Sequence, residues 1–192
     1  MPLVSSWRDA FYQTVLRGAY SAPLKESSQQ GKLQIWTKSL SAAIVDTCEM
    51  NNWRAVAKGH KLGAMPVSRE EYLGIDVMAF KKEKKPWLFP KAIFELENSK
   101  QSFQIAYSLW KVLNIKADLR MVFCYRKESE AGTKLVKYLA NEVVGSLDIR
   151  DRSNLEGDTV IVVGYRNNSE TFPYGFFKWW RLNNNIGQFE QN

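Results

Sequence analysis

The chain has 192 residues, with 27 Lys plus Arg against 20 Asp plus Glu for a formal charge of +7, and 45% of its residues are hydrophobic. That length suits a single domain, the composition excludes wholesale disorder, and no stretch approaches the ~18–20 apolar residues of a membrane helix. A single histidine, His60, excludes any site built on His pairs, while Cys48 and Cys124 sit in apolar stretches and read as buried free thiols.

In chain order, residues 7–20 read as a first helix with apolar Phe11, Val15 and Leu16 and a stop near Gly18 and Pro23; residues 25–31 are polar and read as a loop. Residues 34–53 carry Trp36, Leu40, Ala43 and Ile44 at helical spacing, so a second, longer helix is predicted, bearing Asp46 and Glu49. The Gly-, Lys- and Pro-rich stretch 54–69 reads as an irregular excursion or a short strand. Residues 72–80 and 87–97 form an expected antiparallel hairpin across the basic segment Lys81, Lys82, Lys84 and Lys85.

Residues 102–113 place Phe103, Ala106, Tyr107, Trp110 and Leu113 at the spacing of an amphipathic helix, expected to pack that face on a sheet. A strand at 119–125, a helix at 133–144 and a nearly all-apolar strand at 159–165 follow. Strands alternating with helices after an initial hairpin predict an α/β fold with a mixed sheet flanked by helices. The expected organisation is a helical extension over 1–33, a core over 34–166, and an aromatic and basic segment over 167–192 that packs and then frays.

The chemistry concentrates in the hairpin. Alternation along a strand puts Asp76 with Met78 and Phe80 on one face, and Lys91, Ile93, Glu95 and Glu97 together on one face of the second strand. With a turn centred on Lys84 and Lys85, position 76 lies roughly opposite 93 and within about two residues of Glu95, so a cluster of three carboxylates is expected. Such carboxylates repel one another, and a divalent cation between them relieves the repulsion. Oxygen-only ligation suits Mg²⁺ or Mn²⁺, which hold phosphate oxygens as further ligands; phosphodiester hydrolysis is the reaction this favours.

A helix with Glu, a strand with Gly-Ile-Asp at Asp76, a strand with Phe-Glu-Leu-Glu-Asn at Glu95 and Glu97, then an amphipathic helix and a strand, resembles the PD-(D/E)XK nuclease superfamily over roughly residues 34–165. The resemblance implies a restriction-endonuclease-like αβββαβ core in which Asp76 and Glu95 bind the metal and the helix supplies a further acid, for which Glu49 is preferred to Asp46. Glu97 stands where the superfamily usually has lysine, a replacement found in some type II restriction endonucleases. Lys91 and Lys100 are the nearest substitutes for that positive charge.

The function so implied is a metal-dependent endonuclease acting on DNA, cytoplasmic and without a membrane segment. Dimers are common in this superfamily, so a homodimer is among the expectations. Lys81, Lys82, Lys84, Lys85, Lys91 and Lys100 are the expected contacts to nucleic acid. The alternatives are an inactive nuclease-like binding module or subunit, and a protein-interaction domain with no nucleic-acid role. The basic run reads equally as a solvated hairpin tip, Trp179 and Trp180 as core, and His60 as a surface residue of a basic loop.

Overall fold

The computed structural model describes residues 3–63 and 65–191, so Met1, Pro2, Ala64 and Asn192, the last position of the expected frayed terminus, lie outside the described residues. Three helices come first: α1 (Leu3–Val15), α2 (Gly18–Gln30) and α3 (Leu33–Met50). Gly18 therefore begins a helix rather than ending one, and the expected loop over 25–31 is mostly the second half of α2. Its buried face is Leu24, Ser27 and Ser28, which looks polar in sequence because the two hydroxyls bond internally. Ser27 donates to the Pro23 carbonyl at 2.6 Å, and Ser28 shares a 2.8 Å bond with the Tyr125 hydroxyl. Gly31, at φ 67°, closes α2 in the left-handed region where a Cβ would be strained.

The strands are β1 (Trp53–Ala57), β2 (Val77–Lys81), β3 (Ala92–Glu97), β4 (Leu119–Arg126), β5 (Asp158–Tyr165), β6 (Phe177–Asn183) and β7 (Gln188–Gln191). They form one sheet in sequential order, parallel at β3/β4 and β4/β5 and antiparallel elsewhere. Helix α4 (Ser102–Leu113) joins β3 to β4. Helix α5 (Ser129–Leu139), a π-helical turn at Ala140–Val144 and the short α6 (Ile149–Ser153) join β4 to β5. The central β4 and β5 are buried almost throughout, as strands covered on both faces must be.

One face of the sheet packs Trp7, Phe11, Trp36, Ile44, Phe94 and Trp179 beneath α1–α3; the other packs Phe80, Ile93, Ile105, Leu109, Leu135 and Ile161 beneath α4 and α5. The aromatic segment packs as expected, but the end after it is paired rather than frayed as far as Gln191: β6 and β7 extend the sheet beyond β5, with Trp179 2% exposed in one core and Phe189 in the other. Trp179 is core, as expected of it.

Two expectations change in ways that matter for the site. In α4 the buried stripe is Ile105, Ser108, Leu109, Val112 and Leu113, while Phe103, Tyr107 and Trp110 are 56%, 57% and 50% exposed. The helix is apolar nearly all round, so two stripes compete, and the one with the smaller side chains lies on the sheet. In the hairpin, Val77 pairs with Phe94 and Met78 with Ile93, two residues away from the expected register. The connection over 82–91 is a long loop with Pro86 and Pro90, which lack the N–H a ladder needs.

Candidate functional site

The observed register, extended one step beyond β2, sets Asp76 opposite Glu95. Asp76 lies just ahead of β2, where the chain turns through Leu73 and Gly74 at φ 56° and 65° and Ile75 N–H donates to the Tyr72 carbonyl. Because this turn precedes the strand, Ile75 enters the core beneath α4 with Met78 instead of sharing the Val77 face.

Asp76 and Glu95 are cross-tied. The Asp76 N–H donates to Glu95 Oε1 at 3.3 Å, and Asp76 Oδ2 accepts the Leu96 N–H at 2.7 Å. Glu95 is only 4% exposed, and Lys111 Nζ from α4 lies 2.7 Å from its Oε2 while also donating to the Gly74 carbonyl at 2.7 Å. Burial pushes the Glu95 carboxyl above its ordinary pKa, and the neighbouring Asp76 charge adds to the rise; the hydrogen bond and charge of Lys111 and the Asp76 N–H oppose it. A buried carboxylate without Lys111 would be far less tolerable.

Asp76 opens on a cavity of about 690 Å³. One side is α3, through Gln34, Thr37, Lys38 and Ser41, whose spacing places them on one face of the helix. Lys58, Gly59 and Glu71 contribute from the β1–β2 connection, and Leu96, Glu97 and Asn98 from the end of β3. Glu97 thus joins Asp76 in this cleft, with its Oε1 accepting the Ser99 N–H at 2.8 Å. Asn98 bridges to Thr37 Oγ1 at 2.7 Å and does not cap α4, whose N-cap is Gln101. A second hollow of about 570 Å³, bordered by Met65, Trp87 and Phe89 among others and sharing Glu71 with the first, is lined mainly by apolar side chains and contains neither Asp76 nor Glu95.

The expected cluster of three carboxylates does not form: among the described residues no three Asp, Glu, His or Cys side chains make a group that could hold a metal by themselves. Glu97 is turned to the Ser99 backbone, and Glu49, near the C-terminal end of α3, lies 3.6 Å from His60 Nε2 and outside the Asp76 cleft. Asp46 accepts a hydrogen bond from Tyr20 at 2.6 Å.

The basic run is also displaced. Lys81 ends β2, five residues from Asp76, so the run lies roughly 16 Å along the strand from the acids. Lys81, Lys82, Lys84 and Lys85 are all exposed, and Lys85 pairs with Glu83 at 3.3 Å. Lys91, at the same far end, is taken up by Asp118. Lys100 is exposed between β3 and α4, at the acid end.

Lys111 was not singled out by the sequence reasoning, although a signal for it exists. It is the only charged residue in Ser102–Leu113, and it stands between the buried Leu109 and Val112. A lone charge so placed needs a partner. Lys38 and Lys58 carried no such signal, since they are ordinary exposed lysines until the fold sets them across one cleft.

No protein-family model matches the chain, and no curated protein sequence matches it. Among solved structures, the chain is similar to NucC of E. coli MS115-1 in its cAAA-bound form, with a TM-score of 0.50 at 12% identity, covering 100% of this chain and 83% of that one. NucC of P. aeruginosa ATCC27853, also cAAA-bound, gives a TM-score of 0.45 at 13% identity over 98% of this chain and 80% of that one. The apo form of the E. coli protein gives 0.43 at 15% identity over 90% and 81%. The first of these is a likeness of fold: the chain has the restriction-endonuclease-like mixed α/β architecture expected for it.

Proposed function

We propose that this chain is a divalent-metal-dependent nuclease that cleaves DNA. The observation that carries the reading is the Asp76–Glu95 pair, cross-tied at the end of β2 and β3 with Asp76 opening on a cleft, within a nuclease-like sheet. The donor chemistry fits Mg²⁺ or Mn²⁺. Two adjacent carboxylates supply hard oxygen ligands, and Mg²⁺ is ordinarily held by one or two carboxylates with the substrate's phosphate oxygens and water completing its shell.

Asp76 and Glu95 would hold the ion, which when bound neutralises charge developing on the phosphate and makes water a better nucleophile. Lys111 opposes the rise that burial imposes on the Glu95 pKa, and so favours the ionised form that can act as a ligand. Glu97, in the same cleft as Asp76, would orient a water and accept its proton through the oxygen not bonded to the Ser99 N–H. Glu49, paired toward His60, has no part in this scheme. A homodimer would present two such clefts to the two strands of a duplex.

The test is cleavage of plasmid, single-stranded DNA and RNA with Mg²⁺, Mn²⁺ or EDTA, comparing wild type with Asp76→Ala. Metal-dependent cleavage of DNA that disappears in the variant is the expected result. The second reading, a binding module without cleavage, is favoured by Glu97 in place of lysine and by the lack of a three-acid group among the described residues. Nucleic-acid binding with no cleavage under any metal, and no rise in Tm with Mn²⁺, would establish it instead.

A further inference from the structure

The Asp76 cleft does not end at α3. A smaller cavity of about 180 Å³ adjoins it, and the two share Lys38, Ser41, Lys58 and Gly59. Together they make one groove beside α3, with Asp76 and Glu97 in one part, Asp46 and His60 in the other, and two lysines where the parts meet. Lys38 and Lys58 come from different elements, α3 and the connection after β1. Both are exposed, and among the described residues neither has an ion-pair partner. The carboxylates of Asp46, Glu71, Asp76 and Glu97 line the same groove, so Lys38 and Lys58 are the Lys or Arg side chains there that can meet an anionic strand.

We propose that Lys38 and Lys58 form a clamp for the nucleic-acid backbone, gripping phosphate next to the one presented at Asp76, and that this groove, rather than the lysine-rich β2–β3 loop, is the track of the bound strand. The inference rests on the nuclease reading in taking the Asp76 cleft as the seat of a phosphodiester. Position supports the groove. Among the lysines expected to contact nucleic acid, Lys91 is paired with Asp118 and Lys85 with Glu83, and the exposed Lys81, Lys82 and Lys84 lie at the same end of β2, away from the acids. Lys38 and Lys58 have free charges in the cavity that holds Asp76. The hydroxyl of Ser41 on the same α3 face adds a neutral donor for phosphate oxygens.

The experiment measures binding of a fluorescein-labelled DNA duplex by anisotropy in EDTA across a salt series. It uses wild type, Lys38→Gln/Lys58→Gln, Lys82→Gln/Lys84→Gln and Asp76→Asn, each checked for an unchanged melting curve. Each lost phosphate contact lowers the slope of log affinity against log salt by about 1. The groove double variant should therefore lose a slope of about 2 and bind about 10-fold or more weakly at low salt, while the loop double variant stays near wild type. An unchanged slope in the groove variant, an equal loss in the loop variant, or no binding by wild type overturns the clamp. The binding arm contains no metal, so the two readings can fail separately. Wild type that binds through Lys38 and Lys58 but cleaves nothing with Mg²⁺ or Mn²⁺ ends the nuclease reading and leaves the clamp standing.

Discussion

Lys111 Nζ lies 2.7 Å from Glu95 Oε2, so a positive charge reaches the Asp76–Glu95 pair from the neighbouring helix. Glu95 is 4% exposed, and an ionised carboxylate that deep needs such a partner.

Replacing Lys111 by Met should destabilise the protein by roughly 1–3 kcal/mol at neutral pH, the cost of leaving a nearly buried acceptor without its partner. Glu95 already has a folded pKa above its unfolded value of 4.5. The stability its protonation contributes is therefore present below that unfolded value and is lost as pH rises through the raised one. Removing Lys111 pushes the folded value higher still and enlarges this loss. Urea denaturation of wild type and variant at acidic and neutral pH checks the sign: the gap between them should be wider at neutral pH.

Glu95→Gln removes the charge and one of two acceptors. The amide has a single acceptor oxygen where both carboxylate oxygens are used, so either Lys111 or the Asp76 N–H loses its partner, and stability at neutral pH should fall by about 1–3 kcal/mol. Metal-dependent cleavage should fall by about 100-fold or more with the loss of a ligand. Denaturation and cleavage measured on the same preparations test both halves.

Gly157 leads into β5 at φ +80°, and a Cβ there would come within 2.6 Å of the Ala117 and Asp118 carbonyl oxygens. Backbone atoms cannot swing aside as a side-chain tip can. Gly157→Ala should cost about 1–3 kcal/mol or more and lower the thermal midpoint by several degrees. Calorimetry against Gly18→Ala, where nothing lies within 4 Å of the added atom, supplies the comparison.

Tyr20 donates to Asp46 Oδ2 at 2.6 Å, and burial together with that bond and the carboxylate charge pushes its pKa up to about 12 from 10.0. A raised folded value means that this contribution to stability is complete below pH 10 and disappears as pH rises through about 12. In Asp46→Ala, tyrosinate absorbance should show one residue titrating closer to 10 than in wild type. The Arg17 guanidinium, 3.9 Å from Asp46, lowers the Tyr20 value and remains in the variant.

Trp7 stacks on Phe11 at 5.3 Å, tilts against Phe94 at 5.0 Å and meets Trp179 edge-on at 6.1 Å, joining α1 to strands from both halves of the sheet. Trp7→Ala should cost about 3–5 kcal/mol, measured by urea denaturation.

Local pattern alone determined the order of elements from α3 through the hairpin, α4, β4, α5 and β5, the mixed sheet and the presence of acids at Asp76 and Glu95, whereas α2, β6 and β7 were not legible in it. Period-2 and helical spacings are written in the side chains themselves. What the tertiary structure decided was register and face. A long connection containing Pro86 and Pro90 moved the pairing by two residues and brought Asp76 opposite Glu95, which no count from an assumed turn could supply. Helix α4 carries two apolar stripes, and only the sheet beneath it selected the Ile105, Leu109 and Val112 side, leaving Lys111 within reach of Glu95. The same holds for Lys38 and Lys58, separated in sequence and made neighbours of one groove when α3 lies against β1. Periodicity is a property of one segment, whereas a site is a relation between segments, fixed only when their buried faces are packed together.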